Sequence, residues 1–309
     1  ADYRFTHPIE FQLTRGMDTP AHSLEGVFPW TGREGKALPP FTALTLTLGD
    51  RVLFRGFCDE QEESCGAGGR RLALSARSRG GLLLDNEALP QVYQSVSTRD
   101  IFRAHILPYG LNQLVIPRIL TAGTFQVNKG LSEWEVFSAF CMRMYARFPW
   151  VDGEDRVLVQ APDRVSRWVL SNDLRRAGAV RYQSLARVRR RASVVDRVII
   201  RDRKGNYSSV VENPWIDGLM IRRKRYIIPA AEYANTPTAD AYQRLQQSQL
   251  GVDSLKADVP GAPALNLGDG VTVEDPFWGS RLLAVYQVSV EADDRGVRTR
   301  LILADPQYL

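Results

Sequence analysis

The sequence of 309 residues has few of the side chains that most often carry chemistry, with three cysteines and three histidines. Three cysteines are too few for a disulfide framework, which favours a reducing compartment. Cys58 and Cys65 flank an acidic stretch that we interpret as a turn, and a disulfide between them is the alternative. His7, His22 and His105 are scattered without zinc-ligand spacing. We therefore expect no metal site and no cofactor.

Long apolar runs and catalytic motifs are also missing. No run approaches the ~20 apolar residues that span a bilayer, and the opening ADYRFTHPIEF contains no apolar signal core. From these absences we predict that the chain is neither inserted into a membrane nor exported. The phosphate-binding loop, the nucleophile elbow, the HExxH zinc motif and the dinucleotide fingerprint do not occur. We expect no enzyme and no catalytic residues.

Three features could nevertheless suggest a hydrolase, including a cell-wall hydrolase. Carboxylates crowd one segment, at Asp59, Glu60, Glu62 and Glu63. Glycosidase carboxylates must lie on opposite sides of a sugar, so a solvated loop is the preferred interpretation. Cys141 stands among Phe and Met residues, as a buried small hydrophobe does. His105 has no visible carboxylate partner and is interpreted as structural.

Positive charge is clustered, although the formal net charge is a modest +5 and the pI is about 9.2. The two basic stretches are ARVRRRASVVDRVIIRDRKGNY at residues 186–207 and MIRRKRYIIP at residues 220–229. Such clusters can neutralise phosphates, so a nucleic-acid-binding module is an alternative function. The valines and isoleucines of the first stretch favour strands, and no aromatic residues interleave with its arginines. We interpret the stretches as solvated or interfacial strand faces.

Hydrophobic periodicity divides the chain into β, α/β and β regions, so the predicted fold class is α+β and mostly β. Residues 1–95 alternate like antiparallel strands, with a hairpin turn at Gly49-Asp50. Residues 96–179 show helical spacing. Residues 180–309 return to strands, with a helical insertion near residues 239–250.

The segment at residues 129–148 is predicted to form an amphipathic helix. Ser132 and Glu135 make an S-x-x-E capping box at its start. Apolar residues then recur at three- and four-residue steps, and they are Trp134, Phe137, Phe140, Cys141, Met144, Tyr145 and Phe148. Pro149 is expected to stop the helix.

Several segments, in their order, resemble the baseplate hub proteins of contractile phage tails, especially the Mu-like type. The same segments also resemble the related hubs of R-type bacteriocins and contractile injection systems. The segments are EFQLTRGMDTPAHSLEGVFPW, LTLGDRVLFRGFCDEQEES, LALSARSRGGLLLDNEAL, ILPYGL and FQVNKGLSEWEVFSAFC. SARSRGGLLLDNEA together with KGLSEWEV is the most specific combination. The resemblance covers about half of the chain and weakens after Pro162.

The resemblance implies two tail-tube-like β-barrel domains, at residues 1–95 and 180–309, separated by a smaller α/β domain at residues 96–179. It implies a homotrimer in the virion baseplate, assembled in the bacterial cytoplasm, that adapts the hexameric tail tube to the trimeric central spike. Other baseplate proteins and the tape-measure protein are further candidate partners, and nucleic acid is a partner in transit at most. The chain ends at Leu309 directly after a strand, so the spike is expected to be a separate protein.

Overall fold

A computed structural model describes residues 3–30, 38–67, 69–162, 164–202, 204–216, 222–228 and 237–309. Strands are the commonest secondary structure among these residues, and they form one large sheet and three small ones. The strands of the large sheet are β1 (Glu10–Gly16), β2 (Ser23–Pro29), β3 (Ala43–Leu48), β4 (Arg51–Gly66), β5 (Gly69–Arg77), β11 (Ser166–Ser171), β12 (Ser184–Val188), β16 (Ser254–Pro260), β17 (Gly270–Asp275), β18 (Gly279–Asp293) and β19 (Gly296–Ala304).

The small sheets and the helices complete the described secondary structure. The strands of the small sheets are β6 (Gln91–Ser97), β7 (Gln113–Val115), β8 (Thr121–Val127), β9 (Trp150–Val151), β10 (Arg156–Leu158), β13 (Arg197–Ile200), β14 (Ser209–Glu212) and β15 (Lys224–Ile227). The helices are α1 (Gly80–Asp85), α2 (Thr98–His105), α3 (Glu133–Tyr145) and α4 (Pro237–Ser248), with a short 3-10 helix at Leu107–Tyr109.

The large sheet has eleven strands and joins both ends of the chain. Its main path runs β12-β16-β19-β18-β1-β2-β5-β4-β3, and β17 and β11 extend from the first half of β18. The second half of β18 pairs with β1 instead, in register from Phe11↔Ala292 to Gly16↔Gln287. One apolar core lies against both parts, so that Leu13 and Leu24 share it with Val271 and Leu301.

The same five-strand order occurs twice in this sheet. We call β1 to β5 the N-terminal unit, in the order β1-β2-β5-β4-β3. We call β12 with β16 to β19 the C-terminal unit, in the order β12-β16-β19-β18-β17. All neighbours within each unit are antiparallel. Strand lengths also correspond, with 7 residues in β2 and β16, 16 and 15 in β4 and β18, 9 in β5 and β19, and 6 in β3 and β17.

The two units also share the position of a β-bulge. In β4 the ladder to β5 skips Asp59, and in β18 the ladder to β19 skips Tyr286. Each skipped residue stands seven residues before the last paired residue of its strand, Gly66 or Asp293. A bulge bends its strand and increases the local twist. The fourth strand of each unit therefore bends at the same place.

The middle part of the chain forms its own layer, which we call the middle unit. It comprises α1 to α3 and β6 to β10, with β6 paired to β8 and β7-β10-β9 in a second small sheet. Its own core includes Ile101, Phe137 and Phe140, all fully buried, whereas Trp150 of β9 and Leu158 of β10 lie in the core of the large sheet. Strand β6 crosses the predicted boundary at residue 95, and β11 pairs with β17 of the C-terminal unit. The boundaries at residues 95 and 179 stay predictions.

A second insertion lies inside the C-terminal unit, between β12 and β16. Here β13, β14 and β15 form a three-stranded sheet, and α4 packs on one face of it. Helix α4 corresponds to the helix expected near residues 239–250. Its Ala241 and Leu245 are fully buried against Val198 and Ile227 of the sheet. The insertion thus has a core of its own.

The mostly β, α+β class is confirmed, whereas two separate barrels are not. Within the described residues no sheet closes on itself, and the two β regions are neighbours in a single sheet. The cause is the length of β18, whose first half pairs with β17 and whose second half pairs with β1. The expected Gly49-Asp50 turn does join β3 to β4.

The capped helix of the sequence analysis is α3, and its capping box is present. Ser132 Oγ accepts from the Glu135 backbone N–H, and Glu135 accepts from the Ser132 backbone N–H. The helix ends at Tyr145, before Pro149, because Ala146 adopts a left-handed φ of 52°. Phe148 therefore leaves the apolar stripe and is 45% exposed.

Trp134 is buried in the middle unit, with 8% of its surface exposed and its ring 6.1 Å from that of Phe137. We expect Trp134→Ala to lower the free energy of unfolding by about 3–5 kcal/mol, because it removes a large buried side chain and leaves a cavity. Phe148→Ala, at an exposed site just beyond the C-terminal end of the helix, is the control and should cost less than about 1 kcal/mol. Chemical denaturation measures both, and equal losses would contradict the assignment of the buried face.

His22 connects the large sheet to the middle unit. Its backbone N–H donates to Ser78 Oγ at 3.0 Å, and its Nε2 lies 2.9 Å from the carbonyl oxygen of Asp152. The side chain is buried. Burial disfavours the imidazolium and lowers the pKa of His22 from 6.5 to about 4, with the Arg15 charge acting in the same direction. The folded chain therefore holds this residue neutral.

The buried imidazole makes stability depend on pH. In the unfolded chain His22 binds a proton near pH 6.5, but in the folded chain its pKa is about 4, so stability falls as the pH falls through this interval. From this residue we expect the free energy of unfolding to be about 2 kcal/mol lower at about pH 5 than at about pH 8. Urea denaturation at both pH values measures it. A His22→Gln variant should lose that difference, and an unchanged pH dependence would contradict the assignment.

Candidate functional surfaces

Cys141 lies inside the middle unit and has no access to a substrate. It is fully buried on α3, together with Phe137 and Phe140. Burial raises the pKa of the Cys141 thiol well above its usual range. A protonated, enclosed thiol is not a nucleophile, so the packing interpretation of Cys141 is confirmed.

His105 has a carboxylate partner that the sequence analysis missed. Its Nδ1 lies 2.5 Å from Glu133 Oε2, and its Nε2 lies 3.0 Å from the Tyr93 hydroxyl. Tyr109 donates to the other oxygen of Glu133 at 3.0 Å. Both ring nitrogens are therefore occupied by bonds that join α2, α3 and β6. The structural interpretation of His105 holds, but the expectation that it lacks a carboxylate partner was wrong.

The acidic segment at residues 59–63 is part of a strand and not a turn. It lies in the second half of β4, which continues to Gly66. Asp59 binds Arg77 through two contacts of 2.9 and 3.0 Å, and Glu63 accepts the Leu38 backbone N–H at 3.3 Å. Glu60 and Glu62 are exposed. Alternation along the strand points Glu62 and Glu63 to opposite faces, whereas Glu60 and Glu62 share a solvent-exposed face.

The strand geometry also excludes the Cys58–Cys65 disulfide. Both residues lie in β4 and are free cysteines. At about 3.3 Å per residue, seven residues of extended chain separate them by roughly 23 Å, far beyond the reach of a disulfide. Among the described residues, no group of three or more His, Cys, Asp or Glu side chains could hold a metal ion.

The two basic stretches meet in one small sheet, which the sequence alone did not indicate. Strand β13 comes from the first stretch and β15 from the second, and they pair in parallel with Arg197 beside Lys224. Val198 and Ile200 point inward to α4, so the opposite face is open to solvent. Because 23 residues separate Ile200 from Lys224 in the chain, no local sequence pattern indicates that the two strands are neighbours.

Two tyrosines lie on this face, where Lys224 and Arg197 are accompanied by Glu212. The rings of Tyr207 and Tyr226 are 5.4 Å apart and nearly perpendicular, and each residue is about half exposed. Lys224 Nζ lies 5.7 Å from the centre of the Tyr226 ring. No aromatic residue interleaves with the arginines of the first stretch in sequence, but the fold brings these two rings beside the basic residues.

No described helix is both long and apolar enough to cross a bilayer. No protein-family model and no curated protein matches the sequence. Solved structures do match over nearly the whole chain. A tail protein from Neisseria meningitidis MC58 is 16% identical with a TM-score of 0.78, over 97% of this chain and 92% of that one.

A second similar structure is the 43 kDa tail protein of prophage MuSo2 from Shewanella oneidensis, 14% identical with a TM-score of 0.79 over 98% and 96% of the two chains. The fold is that of phage tail proteins. The E. coli c3393 protein, a type VI secretion component described as similar to the T4 tail proteins gp27 and gp5, matches at 11% identity and a TM-score of 0.58, over 97% and 73% of the two chains. The resemblance found in the sequence is thus confirmed at the level of the fold.

Proposed function

We propose that this chain is a structural hub of a contractile tail baseplate, without catalytic activity. Three copies would form a ring that adapts the hexameric tail tube to the trimeric central spike. The observation that carries the proposal is the repeated five-strand unit, present twice in a chain with the fold of phage tail proteins.

The repeat meets a symmetry requirement. A closed ring of three identical chains has threefold symmetry, whereas a hexameric tube presents six equal surfaces. Three chains with two similar units each would offer six similar surfaces, if the units are related by roughly a sixth of a turn about the ring axis. The β1–β18 ladder places the two units side by side in one sheet, as neighbours in a ring would lie.

The proposed partners follow from this position. The tail tube would lie on the sixfold side and the central spike on the threefold side, with other baseplate proteins around the ring. The tape-measure protein is a further candidate, and nucleic acid would pass in transit. The chain would be assembled in the bacterial cytoplasm and would end in the virion baseplate.

The first test is the oligomeric state. We expect the purified chain to form a homotrimer whose contacts each bury on the order of 2,000 Å² or more, as obligate interfaces do. Sedimentation equilibrium over a wide concentration range measures the mass. A monomer at every concentration, together with the absence of a trimer from assembled particles, would overturn the hub function.

A second candidate function, nucleic-acid contact, is favoured by the open face of the β13–β15 sheet. Lys224, Tyr207 and Tyr226 combine charge with exposed rings, the two elements that hold a single strand by phosphate contact and base stacking. In a hub, such a face would contact DNA on its passage.

Salt dependence tests this second function. If the face binds a single-stranded oligonucleotide, log K should fall linearly with log salt, and Lys224→Gln should reduce the slope by about 1. Arg99→Gln, on the exposed side of α2, is the control and should leave the slope unchanged. Binding that Lys224→Gln does not alter would exclude this face.

A further inference from the structure

One strand edge is paired in the C-terminal unit but open in the N-terminal unit. Beyond the bulge at Tyr286, β18 pairs with β1 through residues 287–292. The corresponding half of β4, beyond Asp59, has β5 on one side. On its other side β3 pairs only with residues 51–57 of β4. Among the described strands, residues 60–65 of β4 therefore have a free edge.

A second free edge lies at the opposite end of the sheet. Strand β12 is the first strand of the C-terminal unit, as β1 is the first of the N-terminal unit. Strand β1 has neighbours on both sides, β2 and β18, whereas β12 has β16 as its single neighbour among the described strands. What β12 lacks is the partner that β1 finds in β18.

The register of the repeat relates these two edges residue by residue. From Leu24 of β2, the ladder across β5 leads to Cys58, the residue just before the bulge in β4. From Leu255 of β16, the ladder across β19 leads to Val285, the residue just before the bulge in β18. Leu24 and Leu255 are therefore equivalent positions. Since Leu13 lies opposite Leu24 and Arg187 lies opposite Leu255, Leu13 and Arg187 are equivalent as well.

The fourth strands are aligned by the same bulge. Val290 of β18 is three residues from the end of its ladder at Asp293, and Glu63 of β4 is three residues from the end at Gly66. Leu13 pairs with Val290 within the chain. The equivalent pair is Arg187 with Glu63, and these two residues can meet only between different copies.

We propose that β12 of one copy pairs antiparallel with residues 60–65 of β4 in a second copy, with Leu185 opposite Cys65, Arg187 opposite Glu63 and Arg190 opposite Glu60. This inference rests on the proposed ring of identical chains. The two edges differ from each other, so the contact is head-to-tail and closes when the rotation per chain is a third of a turn.

The described residues just before β3 bond to side chains of this half of β4, with Leu38 N donating to Glu63 and Phe41 N to Gln61. Cys58 N donates to Thr42 O as the last bond on that side of β4, and Val285 N donates to Asp269 O at the equivalent place in β18. In β18, the residues that follow the Val285 N–Asp269 O bond pair with β1 along this edge.

Charge supports the same register. The β4 edge carries Glu60, Glu62 and Glu63, and the β12 edge continues into Arg189 and Arg190, all of them exposed. Among the described residues no ion pair involves Glu60, Glu62, Arg189 or Arg190. Opposite charges facing each other across a ladder stabilise it, whereas like charges destabilise it. Pairing the two edges brings the unpaired acids of one copy to the unpaired arginines of the next.

The native Cys65 provides a test of the register. Directly opposite residues of an antiparallel pair have Cα atoms about 4.5–5.5 Å apart, which a disulfide can span. Leu185→Cys in the full chain should therefore form disulfide-linked dimers and trimers under mild oxidation, seen on non-reducing gels. Within one chain the two positions are separated by six strands of the sheet.

Two controls make the cross-link specific. Cys65→Ser combined with Leu185→Cys should abolish it, which excludes Cys58 as the partner. Ala186→Cys places the thiol one residue further, on the other face of the strand, and should cross-link at least about tenfold more slowly.

Charge reversal gives an independent measurement if Leu185→Cys fails to fold. Arg189→Glu with Arg190→Glu should raise at least about tenfold the protein concentration at which half of the chains are assembled, because the new negative charge at position 190 would lie opposite Glu60 and that at position 189 would lie diagonal to Glu63. Adding Glu60→Arg and Glu62→Arg to the same chain should restore assembly. Arg99→Glu with Arg103→Glu, on the exposed side of α2, is the matched control and should not change it.

The outcomes separate this inference from the hub function. A trimer that shows neither the Leu185→Cys cross-link nor rescue by the combined reversal would overturn the register and leave the hub function standing. A chain that stays monomeric at every concentration and is absent from trimeric particles would overturn both. A cross-link with the expected controls, or rescue by the combined reversal, would support the inference.

Discussion

The ladder between β1 and β18 is the interaction on which the rest of the architecture depends. It joins residues at opposite ends of the chain, with Phe11 beside Ala292. Without it the two units would be small sheets, each with an exposed apolar face. With it, Leu13 is fully buried and shares one core with Val290. Burial of apolar area across this seam offsets the entropy of closing a loop that includes most of the chain.

The other two parts of the chain are inserted where they do not disturb that sheet. The middle unit lies between β5 and β12, and the small sheet with α4 lies between β12 and β16. Each has a separate core, around Phe137 and Leu245 respectively. The strand order and the bulge position are the same in both units despite insertions of very different length.

Features set by neighbours in the chain could be predicted from the sequence, whereas features set by distant neighbours could not. The Ser132–Glu135 capping box and the burial of Trp134 follow from spacing within one helix, and both are confirmed. The His105–Glu133 bond and the meeting of the two basic stretches depend on tertiary packing. The resemblance implied two similar β domains, but the repeat could not be derived from the residues themselves, since it consists of ladder register and bulge position with few shared residues.

The repeat also shows why equivalent positions carry different side chains. Within the chain Leu13 lies opposite Val290, and this pair is buried as soon as the chain folds. At the equivalent positions of the free edges stand Arg187, which is ion-paired with Asp253 of its own chain, and Glu63, and both residues remain exposed. An exposed apolar strand edge would pair with any other edge, and charges prevent this. In the proposed ring the same charges become complementary at one register, so the feature that keeps the single chain from aggregating would also select its correct neighbour.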